Sequence, residues 1–121
     1  MTLHHWTLPG DHSAAAVARQ HVAEALVSLP SSDDAVQVAS ELAANAVDHG
    51  SAPVELRVEV TADGIRITVS NADDGSLPAP RAASPDDVRG RGLALVAALS
   101  DEWGWHHAEG RLHVWAHLRP R

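Results

Sequence analysis

Glu41 and Asn45 stand four residues apart in the run Glu41-Leu42-Ala43-Ala44-Asn45-Ala46-Val47-Asp48-His49-Gly50. On a helix that spacing puts both side chains on one face. A carboxylate there can take a proton or align a nucleophile, and an amide oxygen is a hard donor suited to Mg²⁺ shared with phosphates. The same pattern also fits a solvated helix edge. A second run, Gly90-Arg91-Gly92, precedes the apolar stretch Leu93-Ala94-Leu95-Val96-Ala97-Ala98-Leu99. Its glycines allow close backbone approach, and a helix N-terminus offers free N–H donors with a partial positive charge. A plain loop ending would read the same way. Taken together, the two runs suggest a nucleotide site.

The elements that must position these residues follow from periodicity and punctuation. Leu3 to Leu8 is a short apolar-polar segment closed by Pro9-Gly10, and a helical pattern runs from Asp11 or Ser13 to Leu29, where Pro30-Ser31-Ser32 interrupts it. Ser31 or Ser32 is a good N-cap with Asp33 and Asp34 in the first turn, and the helix it begins should last to Gly50. At ~100° per residue, Ala35, Ala39, Leu42 and Ala46 with Val36, Ala43 and Val47 form one broad apolar stripe. Glu41, Asn45 and His49 line its border, at an edge of the core where a cleft can open.

Val54 to Val60 and Ile65 to Ser70 alternate strictly and are joined by Thr61-Ala62-Asp63-Gly64, which predicts a hairpin. From Asn71 to Arg89 the chain collects Asp73-Asp74-Gly75, three prolines and Asp86-Asp87 with little periodicity, and so long a connection is more often a functional lid or a disordered segment than a plain linker. A helix beginning at the glycines and a final hairpin, Glu102 to His106 and Arg111 to Leu118 turning at Glu109-Gly110, complete the chain. This order predicts an α+β sandwich, a mainly antiparallel sheet with helices on one face. The other face is left for a partner to cover.

Composition narrows the functional classes. The 121 residues make one domain, 1–121, with no internal repeat or linker. The apolar 45% comes mostly from Ala, Val and Leu, with four Trp and no Phe, Tyr or Cys, so small side chains must pack closely. Absent cysteine excludes a thiolate nucleophile and Cys-ligated zinc, and fits a reducing compartment. No run of about 18 apolar residues is present to span a bilayer, and the N-terminus lacks the basic stretch and apolar core of a signal peptide. A cytoplasmic protein is expected. A net charge of −7 argues against nucleic-acid and anionic-membrane binding. All nine bases are arginines, so a lysine-dependent P-loop is excluded.

Nine histidines invite a metal reading. His113 and His117 share one strand face but sit ~13 Å apart at about 3.3 Å per residue, so one ion cannot take both. Titratable surface histidines are expected. Trp103, Trp105 and Trp115 are expected in the core or at its rim, with a partner-binding surface as the lesser alternative.

The joint occurrence of the decapeptide, a strand ending at Asn71, the long Gly/Pro/Asp loop and the Gly90 turn resembles the GHKL superfamily of ATP-binding domains. More closely, it is similar to the stand-alone anti-sigma-factor serine kinases of actinobacterial type. The resemblance runs from about His12 to Leu118. It implies a Bergerat-type two-layer sandwich, with a mixed, mainly antiparallel sheet, three helices on one face and a lid at about 73–89. By that resemblance Asn45 coordinates the Mg²⁺ of bound ATP and Glu41 activates the hydroxyl of a protein serine or a water. His49 joins the nucleotide-binding set, and the backbone at Gly90, Arg91, Gly92 and Leu93 cradles the phosphates, with Arg91 also able to pair with phosphate oxygens.

The family's adenine-binding Asp is replaced here. Aligned by strand, Asn71 takes its place, and Asp73 takes that of the first glycine. Shifted by two, Asp73-Asp74-Gly75 restores an Asp and one glycine. Strand register favours Asn71. The resemblance further implies an anti-sigma-factor antagonist as phosphate acceptor, a sigma factor as second partner, and compatibility with a homodimer. A binding module that sequesters a partner without transferring phosphate is the alternative.

Overall fold

The computed structural model describes residues 1–72 and 88–120. Eight elements follow in the order β1 (Thr2–Leu8), α1 (Ala14–Ala25), α2 (Ser32–His49), β2 (Ser51–Thr61), β3 (Gly64–Ala72), α3 (Val88–Leu99), β4 (Glu102–Ala108) and β5 (Arg111–Leu118). The strands form one five-stranded sheet in the order β1-β2-β3-β5-β4. Each of its four pairings is antiparallel. The three helices pack on one face of it. This is the α+β sandwich expected from the element order.

Strict alternation decides which face each strand residue takes. Leu56 opposes Val69 on β3, and Val69 opposes Val114 on β5, so these side chains fall in one row pointing at the helices. All three are buried. Across the same layer lie Val38 and Leu42 of α2, Val22 of α1 and Val96 of α3, each fully enclosed. Ala14 and Ala18 on α1 and Ala35, Ala39, Ala43 and Ala46 on α2 are also buried, and such small side chains let helices approach closely. Burying a Leu or Val side chain contributes roughly 1.5–3 kcal/mol, and this layer is where the fold gains its stability.

Some boundaries differ from expectation. The first helix ends at Ala25 rather than Leu29. Leu26 keeps its N–H bonded to the Val22 carbonyl, Val27 is exposed, and a tight turn from Leu26 to Leu29 follows. Pro30 then keeps the chain from resuming the helix, because the residue before a proline is driven out of the helical region. Ser31 does occupy the N-cap of α2, but in the left-handed conformation at φ 68° and with no side-chain capping bond. The hairpin of β2 and β3 is longer than its alternating core, with an irregularity between Ser51 and Glu55. The final hairpin turns at Glu109 and Gly110 as expected, and β4 continues to Ala108.

The opposite face of the sheet is polar. Glu55 accepts from His5 at 2.8 Å and pairs with Arg111 at 3.3 Å, and the Arg111 guanidinium also donates to Ser70 Oγ and the Pro53 carbonyl. The Arg66 guanidinium lies 4.2 Å above the Trp115 ring. His106 and His113, opposite one another on β4 and β5, stack with centroids 4.9 Å apart. Trp6 points the other way and stacks on His21 of α1, while Trp103 packs partly buried against the core and Trp105 is exposed. Among the described residues no helix is long and apolar enough to cross a membrane, and no three His, Cys, Asp or Glu side chains converge on a metal position.

Candidate functional site

Helix α2 carries the first half of the site. Its apolar stripe is pressed on the sheet, which turns the opposite border toward α3. Glu41 is half-buried on that border. Its Oε1 accepts a hydrogen bond from Gln37 Nε2 at 3.0 Å, one turn earlier. Its Oε2 lies against Gly92 of α3, 2.7 Å from the position a β-carbon there would take. Gly92 thus brings the backbone of α3 up to a carboxylate that any side chain would displace.

Asn45, one turn beyond Glu41, is 5% exposed. Its Oδ1 is buried without a hydrogen-bond partner among the described residues. A buried acceptor left unpaired costs about 1–3 kcal/mol, which singles this oxygen out among the described residues of the site as the atom to test for a ligand. An uncharged, hard oxygen of this kind fits Mg²⁺, which takes a few protein oxygens and shares the rest of its shell with phosphates and water. The sequence placed Asn45 at the border of the stripe, and the structure buries it there.

Where α2 ends, Gly50 closes the helix in an extended conformation and keeps its N–H on the Ala46 carbonyl. A β-carbon at Gly50 would stand 2.0 Å from Nδ2 of Asn71, so this glycine is required by close approach. Asn71 lies on β3 in the row with Val69 and faces the helices, as the register argument expects. It is 4% exposed, and its Nδ2 donates to the Ala72 carbonyl at 2.8 Å. One of the two amide hydrogens is so engaged, which orients the group and leaves its oxygen as an acceptor for another donor. His49, in the last turn of α2, is half-buried.

The second half of the site is the start of α3. The helix opens at Val88, so Gly90, Arg91, Gly92 and Leu93 lie inside its first turns rather than ahead of them. The free N–H groups of a helix are those of its first residues, and here they precede Arg91. Leu93 is buried in the core. Asp73, Gly75 and the 73–87 part of the expected lid lie outside the described residues.

The structure therefore brings Glu41 to Gly92 and the end of α2 to Asn71. One participant and one contact escaped the sequence reading. Gln37 was within reach of it, since a glutamine four residues before the glutamate is a helix-face neighbour. The seating of Asn71 on Gly50 leaves no periodic trace.

The family described as the histidine kinase-like ATPase domain matches residues 10–118 of the chain. Among solved structures, the RsbU and RsbW domains of Rv1364c from Mycobacterium tuberculosis superpose with a TM-score of 0.73 at 23% sequence identity, over 99% of this chain and 33% of that one. That likeness is one of fold. The chain spans a third of the length of that relative. No curated protein sequence matches it.

Proposed function

The chain belongs to the histidine kinase-like ATPase domain family, and from that premise we propose that it is a Mg²⁺-dependent ATP-binding regulator that phosphorylates a serine or threonine of a protein antagonist. In this reading residues 1–121 act as one domain, the antagonist is that of an anti-sigma factor, and the chain itself acts as the anti-sigma factor. The observation that carries the reading is the buried, unpartnered Oδ1 of Asn45, one helical turn from the Glu41 carboxylate.

The residues divide the work by position. Asn45 Oδ1 would hold Mg²⁺, which when bound offsets charge on the triphosphate. Asn71 would accept from the amine of adenine, and His49 would border the nucleotide. Asp73 and Gly75 are carried as further contacts to it. The turns from Gly90 to Leu93 would lie along the phosphates, with backbone donors at the start of α3. Glu41 Oε2 would receive the proton of the acceptor hydroxyl as its oxygen bonds to the γ-phosphorus. The bond from that phosphorus to the bridging oxygen then breaks, and ADP leaves. Catalysis of this kind is chiefly positioning and charge stabilisation.

The protein is negatively charged before it meets an anionic nucleotide, so affinity should depend on the metal. Calorimetric titration should show ATP binding with Mg²⁺ that weakens at least tenfold with EDTA or in Asn45→Ala. Binding unaffected by both would overturn the role of Asn45. With γ-labelled ATP and a candidate antagonist, label should pass to the antagonist and Glu41→Gln should stop it. The replacement of the family's Asp by Asn71 favours a second reading, a sequestering module that binds without transfer. Persistent ATP binding with no antagonist labelled would select it.

A further inference from the structure

The two oxygens of Glu41 are not equivalent. Oε1 is held at 3.0 Å by Gln37, and Oε2 faces the backbone of α3 at Gly92. A carboxylate accepts only, so the amide end of Gln37 turned toward it must be its N–H₂ group. A glutamate on a helix surface is otherwise free to rotate about its terminal bond and exchange the two oxygens. The Gln37 contact biases that rotation from one side, and the approach of Gly92 defines the other.

Resting on the reading of Glu41 as the base, we propose that Gln37 is a positioning residue for phosphoryl transfer, holding Oε1 so that Oε2 alone meets the acceptor hydroxyl at the seam of α2 and α3. Gln37 itself is exposed and lies outside the buried layer formed by its neighbours Val38 and Ala39. Replacing it therefore leaves the core intact. Its effect acts through orientation, where displacement of a reacting group by about 1 Å is enough to slow a reaction up to about 100-fold.

The test compares Gln37→Leu, which removes the donor at similar size, with Gln37→Lys, which restores a donor. Mg·ATP affinity is read by calorimetry, and transfer to water by phosphate release under saturating Mg·ATP. Gln37→Leu should lower kcat roughly tenfold with the ATP dissociation constant unchanged within about twofold, and Gln37→Lys should recover most of the rate. A Gln37→Leu protein that turns over like wild type, or whose loss of rate the lysine does not recover, overturns the inference. Glu41→Gln separates this from the reading beneath it. A wild type no faster than Glu41→Gln removes the base, and the role of Gln37 with it. A wild type faster than Glu41→Gln but equal to Gln37→Leu removes the role of Gln37 alone.

Discussion

A methyl group added at Gly50 and one added at Gly92 meet different obstacles. At Gly50 it strikes Asn71 along its length, from Nδ2 at 2.0 Å to Cβ at 2.8 Å, and that Cβ is fixed to a central strand. At Gly92 it meets Oε2 of Glu41, the far end of a side chain that can swing away. Gly50→Ala should therefore cost about 1–3 kcal/mol of stability in urea unfolding, the usual range for overpacking. Gly92→Ala should stay within about 1 kcal/mol of wild type, because alanine's helix preference offsets the local push. On the proposed reading of Glu41 its effect should appear instead as slower Mg·ATP turnover, since the carboxylate has had to move. Equal stability losses at the two positions would contradict the geometry. Neither contact was legible in the sequence. The spacing of Glu41 and Asn45 announces a shared helix face, but it says nothing about which distant glycine will be pressed against that face.

Helix α2 was legible from end to end because its stripe, its early acids and its terminal glycine agree. The geometry of its N-cap was not. Ser31 looked like a capping serine, yet it sits at φ 68° and its hydroxyl makes no capping bond. A non-glycine residue in that region costs about 1–2 kcal/mol. Ser31→Gly should therefore raise stability by about 0.5–1 kcal/mol, the relief being partly cancelled by the freedom glycine adds to the unfolded chain. A lower urea midpoint in the variant would show that Ser31 contributes a bond the geometry does not reveal. The two hairpins were equally readable, since alternation of period two fixes both strand identity and the inward row. The end of α1 was not legible, because the pattern stays helical to Leu29 while Pro30 restricts only the residue before it. α3 begins earlier than the glycines because apolar periodicity marks only where a helix packs.

For the molecule as a whole, the sheet separates an apolar layer from a polar surface rich in histidine. On that surface His113 is held below its ordinary value of 6.5, first by burial and then by the neighbouring His106. Arg111 acts in the same direction, and a bond to the Ala108 backbone opposes it. Between the unfolded value and the lower folded one, the unfolded chain binds more protons, so stability falls as pH drops through that window. Urea midpoints taken from pH 7.5 downward should decline once below about 6.5, and His113→Asn should flatten part of the decline. An unchanged slope in the variant would remove His113 as its source. The division of the sheet into two faces was legible from alternation alone. The stacking of His106 on His113 depends on the β4–β5 register and was not.

All four indole rings lie on strands. Trp6 is held at the seam of β1 and α1, Trp103 and Trp105 belong to an edge strand, and Trp115 lies under the Arg66 guanidinium on the polar surface. With no tyrosine or phenylalanine in the chain, these rings supply all of its near-ultraviolet emission. The protein is thus its own optical gauge, and the gauge is read mainly at the sheet. A molecule seated on the polar surface would change the surroundings of Trp115, while events confined to the seam of α2 and α3 would leave them in place, so the difference between the emission of the wild type and of Trp115→Phe isolates what happens on that surface.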